Sequence, residues 1–180
     1  KVLVSDYKTL VPDSDPGGGV RPETIFYTKL HRPPLSARIV PRVRLINLLE
    51  NGVQNPITLI AAPAGYGKSV LASQWLEMSK LSGAWISLDE KDNDPRVFLN
   101  YCIEAIRKPF PDLEMKTTEL LAAAKMPPAS VISQHLLNDL EILSERLILV
   151  MDDYHEIHNS AVHDLIVELL VHPSPYLHLA

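Results

Sequence analysis

The chain has 180 residues, enough for one substantial hydrophobic core and a small appendage. Its composition is ordinary for a soluble globular protein, and a formal net charge of −5 gives no global basic field to draw in nucleic acid. No apolar run approaches a membrane span, the N-terminus lacks a signal-peptide core, and the single cysteine, Cys102, cannot close an internal disulfide, so a cytoplasmic protein is expected.

Residues 1–27 read as an N-terminal appendage. Val2-Leu3-Val4 fits a short strand, and Pro12 to Gly19 is turn and linker chemistry that buries little. Thr28 to Pro34 is expected to stay extended, with Pro33-Pro34 blocking helix. Pro41 suits the first position of a helix whose apolar face is Leu45, Leu48 and Leu49. Pro56 to Ala62 is a short apolar run of strand length. Leu71, Trp75 and Met78 then fall at helical spacing.

Gly83 to Leu88 reads as the next strand. Asp94-Pro95 marks a helix start, with Phe98, Tyr101, Cys102 and Ala105 on one face. Cys102 is thereby a small core residue rather than a reactive thiol. Residues 114–125 and 129–144 read as helices, the second marked by Ile132, Leu136, Leu140 and Leu143. Leu147 to Met151 is a fully buried type of strand. Val162, Leu165, Ile166, Leu169 and Leu170 form a helical stripe, and Tyr176 to Ala180 begins another strand. Strands alternating with helices predict an α/β fold with a parallel sheet covered by helices on both faces.

Between the first apolar run and its helix lies Ala62-Pro63-Ala64-Gly65-Tyr66-Gly67-Lys68-Ser69, followed by Val70. Strand, glycine-bearing turn, Gly-Lys-Ser and helix, in that order, is the layout of a phosphate-binding P-loop. Backbone N–H groups at a helix start can cradle phosphates, since they lack partners and the dipole is positive there. Gly65 and Gly67 allow the tight wrap, Lys68 would reach the β- and γ-phosphates, and Ser69 would ligate Mg²⁺. The implied ligand is a nucleoside triphosphate with Mg²⁺. The usual opening glycine is replaced by Ala62.

Leu147 to Asp153 supplies the partner. Five apolar residues deliver two carboxylates to a strand end, where doubly wound sheets bind ligands. Asp152 is expected to serve the Mg²⁺, and Asp153 to orient or deprotonate a water. Other clusters carry less. His155, His158 and His163 lack a zinc spacing and read as solvated or capping side chains. Asp89, Asp92 and Asp94 lack the glycine and glutamate of a calcium loop, so turn and cap roles are expected. From spacing alone, Arg42 and Arg44 read as solvated residues beside Leu45.

Several segments together resemble one family. Thr28 to Pro34 followed by Val40 to Leu45, the P-loop with its leading alanine, Trp85-Ile86-Ser87-Leu88-Asp89-Glu90-Lys91-Asp92-Asn93-Asp94-Pro95, and Val150 to His155 are similar to the nucleotide-binding domain of MalT-like, LuxR-type transcriptional activators, in the STAND class of signalling P-loop ATPases. Trp85 to Pro95 is the most specific of these segments. The resemblance implies an ATP-driven switch: ADP holds an inactive monomer, while inducer and ATP favour self-association. It implies that DNA is bound only through a separate C-terminal helix-turn-helix module outside this sequence. By position it gives Ala62 to Val70 to the phosphates, Ser69 and Asp152 to Mg²⁺, Asp153 to the water, and Arg42 and Arg44 to the nucleotide base. It also places the last strand between the P-loop strand and the Asp152 strand, and implies that 28–180 is an incomplete P-loop domain, truncated at its C-terminus within a longer protein.

Two other functions fit a P-loop. A small-molecule kinase needs arginines clustered in a lid, whereas Arg96, Arg107 and Arg146 are scattered after the loop. A scaffold would bind nucleotide without turnover.

Overall fold

A computed structural model describes residues 25–36 and 39–180. The expected strand at Val2-Leu3-Val4 and the linker at Pro12 to Gly19 lie outside the described residues.

Among the described residues three strands build the sheet: β1 (Ser82–Ser87), β2 (Leu147–Asp152) and β3 (Leu177–Leu179). They lie side by side in the order β1-β2-β3 and all run parallel. Among the described residues six helices surround them: α1 (Val43–Gly52), α2 (Lys68–Met78), α3 (Pro95–Arg107), α4 (Thr118–Leu121), α5 (Ala129–Leu140) and α6 (Ser160–Val171). The chain is an α/β protein with a parallel sheet flanked by helices, consistent with a P-loop NTPase-like fold.

The period-2 alternation of the strands sorts their side chains onto two faces. Ala84, Ile86, Leu147, Leu149 and Met151 face one core, with Phe98, Leu99 and Cys102 of α3, Leu136 and Leu140 of α5, and Val162 and Leu165 of α6. Trp85, Ile148 and Val150 face the other, with Ile46 and Leu49 of α1 and Leu71, Ala72 and Trp75 of α2. Burial on both faces explains why β2 is apolar without interruption until Asp152. Cys102 is fully buried in the first core, and the loss of solvation pushes its thiol up to about 12.

Several elements depart from the sequence expectation. Pro56 to Ala62 forms no named strand. Its pairing is a parallel bridge from Ile57 to Leu179, with the Thr58 amide donating to the Leu179 carbonyl at 2.9 Å and the Leu179 amide to the Pro56 carbonyl at 3.0 Å. Leu59 is 85% exposed, so an apolar run here does not signify burial. The bridge nevertheless puts β3 between β2 and the segment leading into the P-loop, as the resemblance implied.

Tyr27–Leu30 is a 3-10 turn rather than an extended stretch, because Leu30 turns inward onto the first core. Helix α1 starts at Val43, with Arg42 rather than the residue before Pro41 at its N-cap, and buries Ile46 and Leu49 while Leu48 is exposed. Met78 is likewise exposed at the end of α2. Residues 114–125 hold a single helical turn, α4, in place of a full helix. The Asp139 carboxylate accepts from the Thr117 amide and hydroxyl there, so a buried side chain takes over backbone bonding.

Candidate functional site

The glycine-bearing loop Ala62 to Ser69 joins the Ile57 bridge to α2. Gly65 has φ 82° and Gly67 has φ 77°, left-handed conformations that side chains with a Cβ resist. Gly67 is the N-cap of α2. That helix start has no side-chain cap and no acidic residue in its first turn, and Lys68 places a positive charge there. A cation at a positive helix end is electrostatically unfavourable on its own. By contrast, Asp94 caps α3 and Asn159 caps α6 with side-chain oxygens. The bare end of α2 therefore fits an external anion as its capping group.

Ala62 to Tyr66 are exposed, while Gly67 to Val70 are half-buried. The Lys68 Nζ donates to the Ala62 carbonyl at 3.1 Å, folding back over the loop. Arg42 Nη1 donates to the Tyr66 carbonyl at 3.0 Å, and its guanidinium lies 3.4 Å from where a Cβ on Gly67 would stand. Arg42 is thus brought to the loop. Arg44, two residues on, is exposed, and no hydrogen bond or ion pair among the described residues holds it there.

The Ser69 hydroxyl donates to Asp152 Oδ1 at 2.9 Å, across 83 positions of sequence. Burial raises the Asp152 carboxyl above its ordinary value; the Ser69 hydrogen bond opposes this and the neighbouring Asp153 charge adds to it. A half-buried carboxylate beside a hydroxyl is a hard oxygen donor set suited to Mg²⁺. Asp153 follows in a left-handed conformation, φ 58° and ψ 35°, with an exposed side chain. Its Oδ1 lies 3.8 Å from His155 Nδ1.

The segment after β1 has roles only partly visible in sequence. Asp89 caps the 3-10 turn Glu90–Asn93 through a capping box with Asp92. Asp92 is also fully buried and ion-paired to Lys29, whose ammonium lies 2.7 Å from its Oδ2 and 2.8 Å from Asp89 Oδ2. Lys29 sits 5.1 Å from the Tyr101 ring centroid as well. Spacing predicts the turn and cap roles of Asp92 but not its pairing with Lys29, since the two lie 63 positions apart. A cavity of about 490 Å³ lies beside them, lined by Ile25, Phe26, Lys29, Asp89 and Tyr101 and by no P-loop residue.

The histidines go separate ways. His163 Nδ1 is hydrogen-bonded to the Tyr154 hydroxyl at 2.8 Å, and His155 lies 3.3 Å from Glu156. Among the described residues no group of three or more His, Cys, Asp or Glu is arranged to hold a metal ion. No helix among them is long and apolar enough to cross a membrane.

Comparison with known proteins finds no matching family model. Among curated proteins, the chain is 30% identical over 145 residues to the HTH-type transcriptional regulator MalT of Vibrio cholerae, covering 81% of this chain and 16% of that protein. The chain is a homologue of one segment of the MalT regulators. The MalT of Cronobacter sakazakii is 35% identical over 153 residues, covering 84% of this chain and 17% of the relative. The MalT of Yersinia pestis is 36% identical over 145 residues, covering 81% and 16%. This MalT homologue therefore spans about a sixth of the length of the curated relatives it matches.

Proposed function

We propose that the chain is the ATP- and ADP-binding switch module of a signal-responsive transcriptional regulator of the cytoplasm. The observation that carries this is the Ser69–Asp152 hydrogen bond at 2.9 Å, set against a helix start that no side chain caps. Ala62 to Val70 would wrap the phosphates, with Lys68 leaving the Ala62 carbonyl for phosphate oxygens. Ser69 and Asp152 would hold Mg²⁺, whose chemistry is to neutralise phosphate charge. Asp153 would orient a water for slow hydrolysis of ATP to ADP and phosphate. Arg42, already at the loop, would stand beside the nucleotide, with Arg44 as its flanking charge. Homology to regulators described as HTH-type supports a transcriptional role. DNA contact is assigned to a helix-turn-helix module outside this sequence, and self-association to the ATP-bound full-length protein.

Calorimetry of wild type and Lys68→Ala with ATP and ADP in Mg²⁺ tests the assignment. Loss of the lysine should weaken nucleotide binding at least about tenfold, the scale of a charge-assisted contact. Equal binding by both proteins removes the P-loop from the site.

A further inference from the structure

The backbone of the acid-bearing loop after β2 is gripped by the side chain of Asn93. Its Nδ2 donates to the Glu156 carbonyl at 2.8 Å and to the Glu90 carbonyl at 2.9 Å. Its Oδ1 accepts from the His158 amide at 2.6 Å and the Asn159 amide at 2.9 Å. One carboxamide thus uses both donors and both acceptor sites, a complete satisfaction that only Asn or Gln chemistry permits. The partners straddle two loops, those following β1 and β2, and three of the four lie in the second.

What the clamp holds is a strained backbone. Asp153 is, among the described residues, the non-glycine with positive φ. Its carbonyl accepts from the Glu156 amide at 3.0 Å, and the Tyr154 carbonyl accepts from the Ile157 amide at 3.1 Å, closing the 3-10 turn Tyr154–Glu156. Glu156 is therefore bonded on one side to Asp153 and on the other to Asn93. A sparsely populated backbone conformation persists only where its surroundings over-determine it. Ile157, buried in the first core, adds an apolar pin to the same turn.

We infer that Asn93 is a positioning residue: it locks the 153–159 loop so that Asp153 keeps its left-handed backbone and presents its carboxylate at the β2 end beside Asp152. This rests on Asp153 as the water-orienting group. It also gives a physical reason for the segment Trp85 to Pro95, whose pattern a phosphate loop does not itself require. Asp92, next to Asn93, is fastened to Lys29, so the clamp is anchored in turn to the segment before α1.

The test uses the isotope-labelled 180-residue chain, with Asn93→Ala and Asn93→Asp. Asn93→Asp keeps the oxygen facing His158 and Asn159 but loses both donors. In Asn93→Ala the backbone chemical shifts of Asp153 should leave the left-handed pattern. Exchange of the His158 and Asn159 amides should rise at least about tenfold while β2 amides stay within about twofold. Asn93→Asp should fall between Ala and wild type. Single-turnover hydrolysis of Mg·ATP should drop about tenfold in Asn93→Ala with ATP affinity within about twofold, since misplacement of a reacting group costs rate rather than binding. Left-handed Asp153 shifts retained in both variants overturn the inference, as does an unchanged hydrolysis rate. Failure of wild type to bind or hydrolyse ATP would instead overturn the proposed function, and the Asp153 shifts would still decide the clamp.

Discussion

Ser69 and Asp152, the one at the start of α2 and the other at the end of β2, share a hydrogen bond of 2.9 Å. Their meeting converts two separate sequence motifs into one surface. It also leaves a carboxylate half-buried beside a second carboxylate, with a consequence for stability.

The Asp152 carboxyl is raised above its ordinary value, first by burial. Its charged form is disfavoured in the fold, so its contribution to stability is present at acid pH and is lost as pH rises through the folded value. Asp152→Asn keeps an acceptor for Ser69 and removes the charge. Without divalent cation it should melt about 2 °C higher than wild type at pH 7, and Mg²⁺ with ATP should stabilise it less than wild type. Scanning calorimetry with and without Mg²⁺ checks both; a lower melting temperature in the absence of cation contradicts the burial argument.

His178 is fully buried, with Nδ1 2.7 Å from the Asn55 carbonyl and its ring edge-on to Trp75. Its Nε2 has no partner, and burial lowers its pKa below the ordinary 6.5. The Asn55 carbonyl raises it in part, and the Arg146 charge adds to the lowering. Stability is therefore complete above about pH 6.5 and declines as pH falls below it toward the folded value. Urea denaturation between pH 7 and 5 should reveal this slope, and His178→Gln should flatten it. An identical slope in the variant assigns the acid sensitivity elsewhere.

Lys29 neutralises Asp92, whose side chain is 1% exposed. Lys29→Met would leave that carboxylate buried without its cation, at a cost of about 3 kcal/mol. Lys29→Met with Asp92→Asn should recover most of this, because the pair is lost together rather than broken. Chemical denaturation of the double-mutant cycle measures it. A single-mutant loss under about 1 kcal/mol would show water replacing the lysine.

Gly67 starts α2 in a left-handed conformation, and a Cβ there would stand 3.4 Å from the Arg42 guanidinium, ordinary contact distance. Gly67→Ala should cost about 1 kcal/mol from the left-handed backbone alone. The larger expected effect is on nucleotide affinity, as the loop relaxes away from the wrapped form. Gly65→Ala meets no atom within 4 Å, so its penalty should be conformational only. Denaturation and ATP titration of both variants check this; equal ATP affinity in Gly67→Ala and wild type contradicts it.

Much of this protein was legible in the residues. The uninterrupted apolar run of β2, the Asp94-Pro95 helix start and the stripe of α6 each encode their structure locally, since period and capping act within one element. The turn at Gly65 and Gly67 was legible because glycine conformation is itself local chemistry. Leu59 and Met78 misled, because hydrophobicity does not say which side of an element a neighbour covers.

The sequence by itself determined the alternation of strands and helices, the glycine turn at Gly65 and Gly67, and the paired carboxylates at the end of β2. Only the tertiary structure decided that Ser69 meets Asp152, that Lys29 reaches Asp92, and that Asn93 grips the loop beyond Asp153. Those contacts join residues 63 or more positions apart. No local pattern specifies them, because their geometry is set by how the parallel sheet aligns its strand ends.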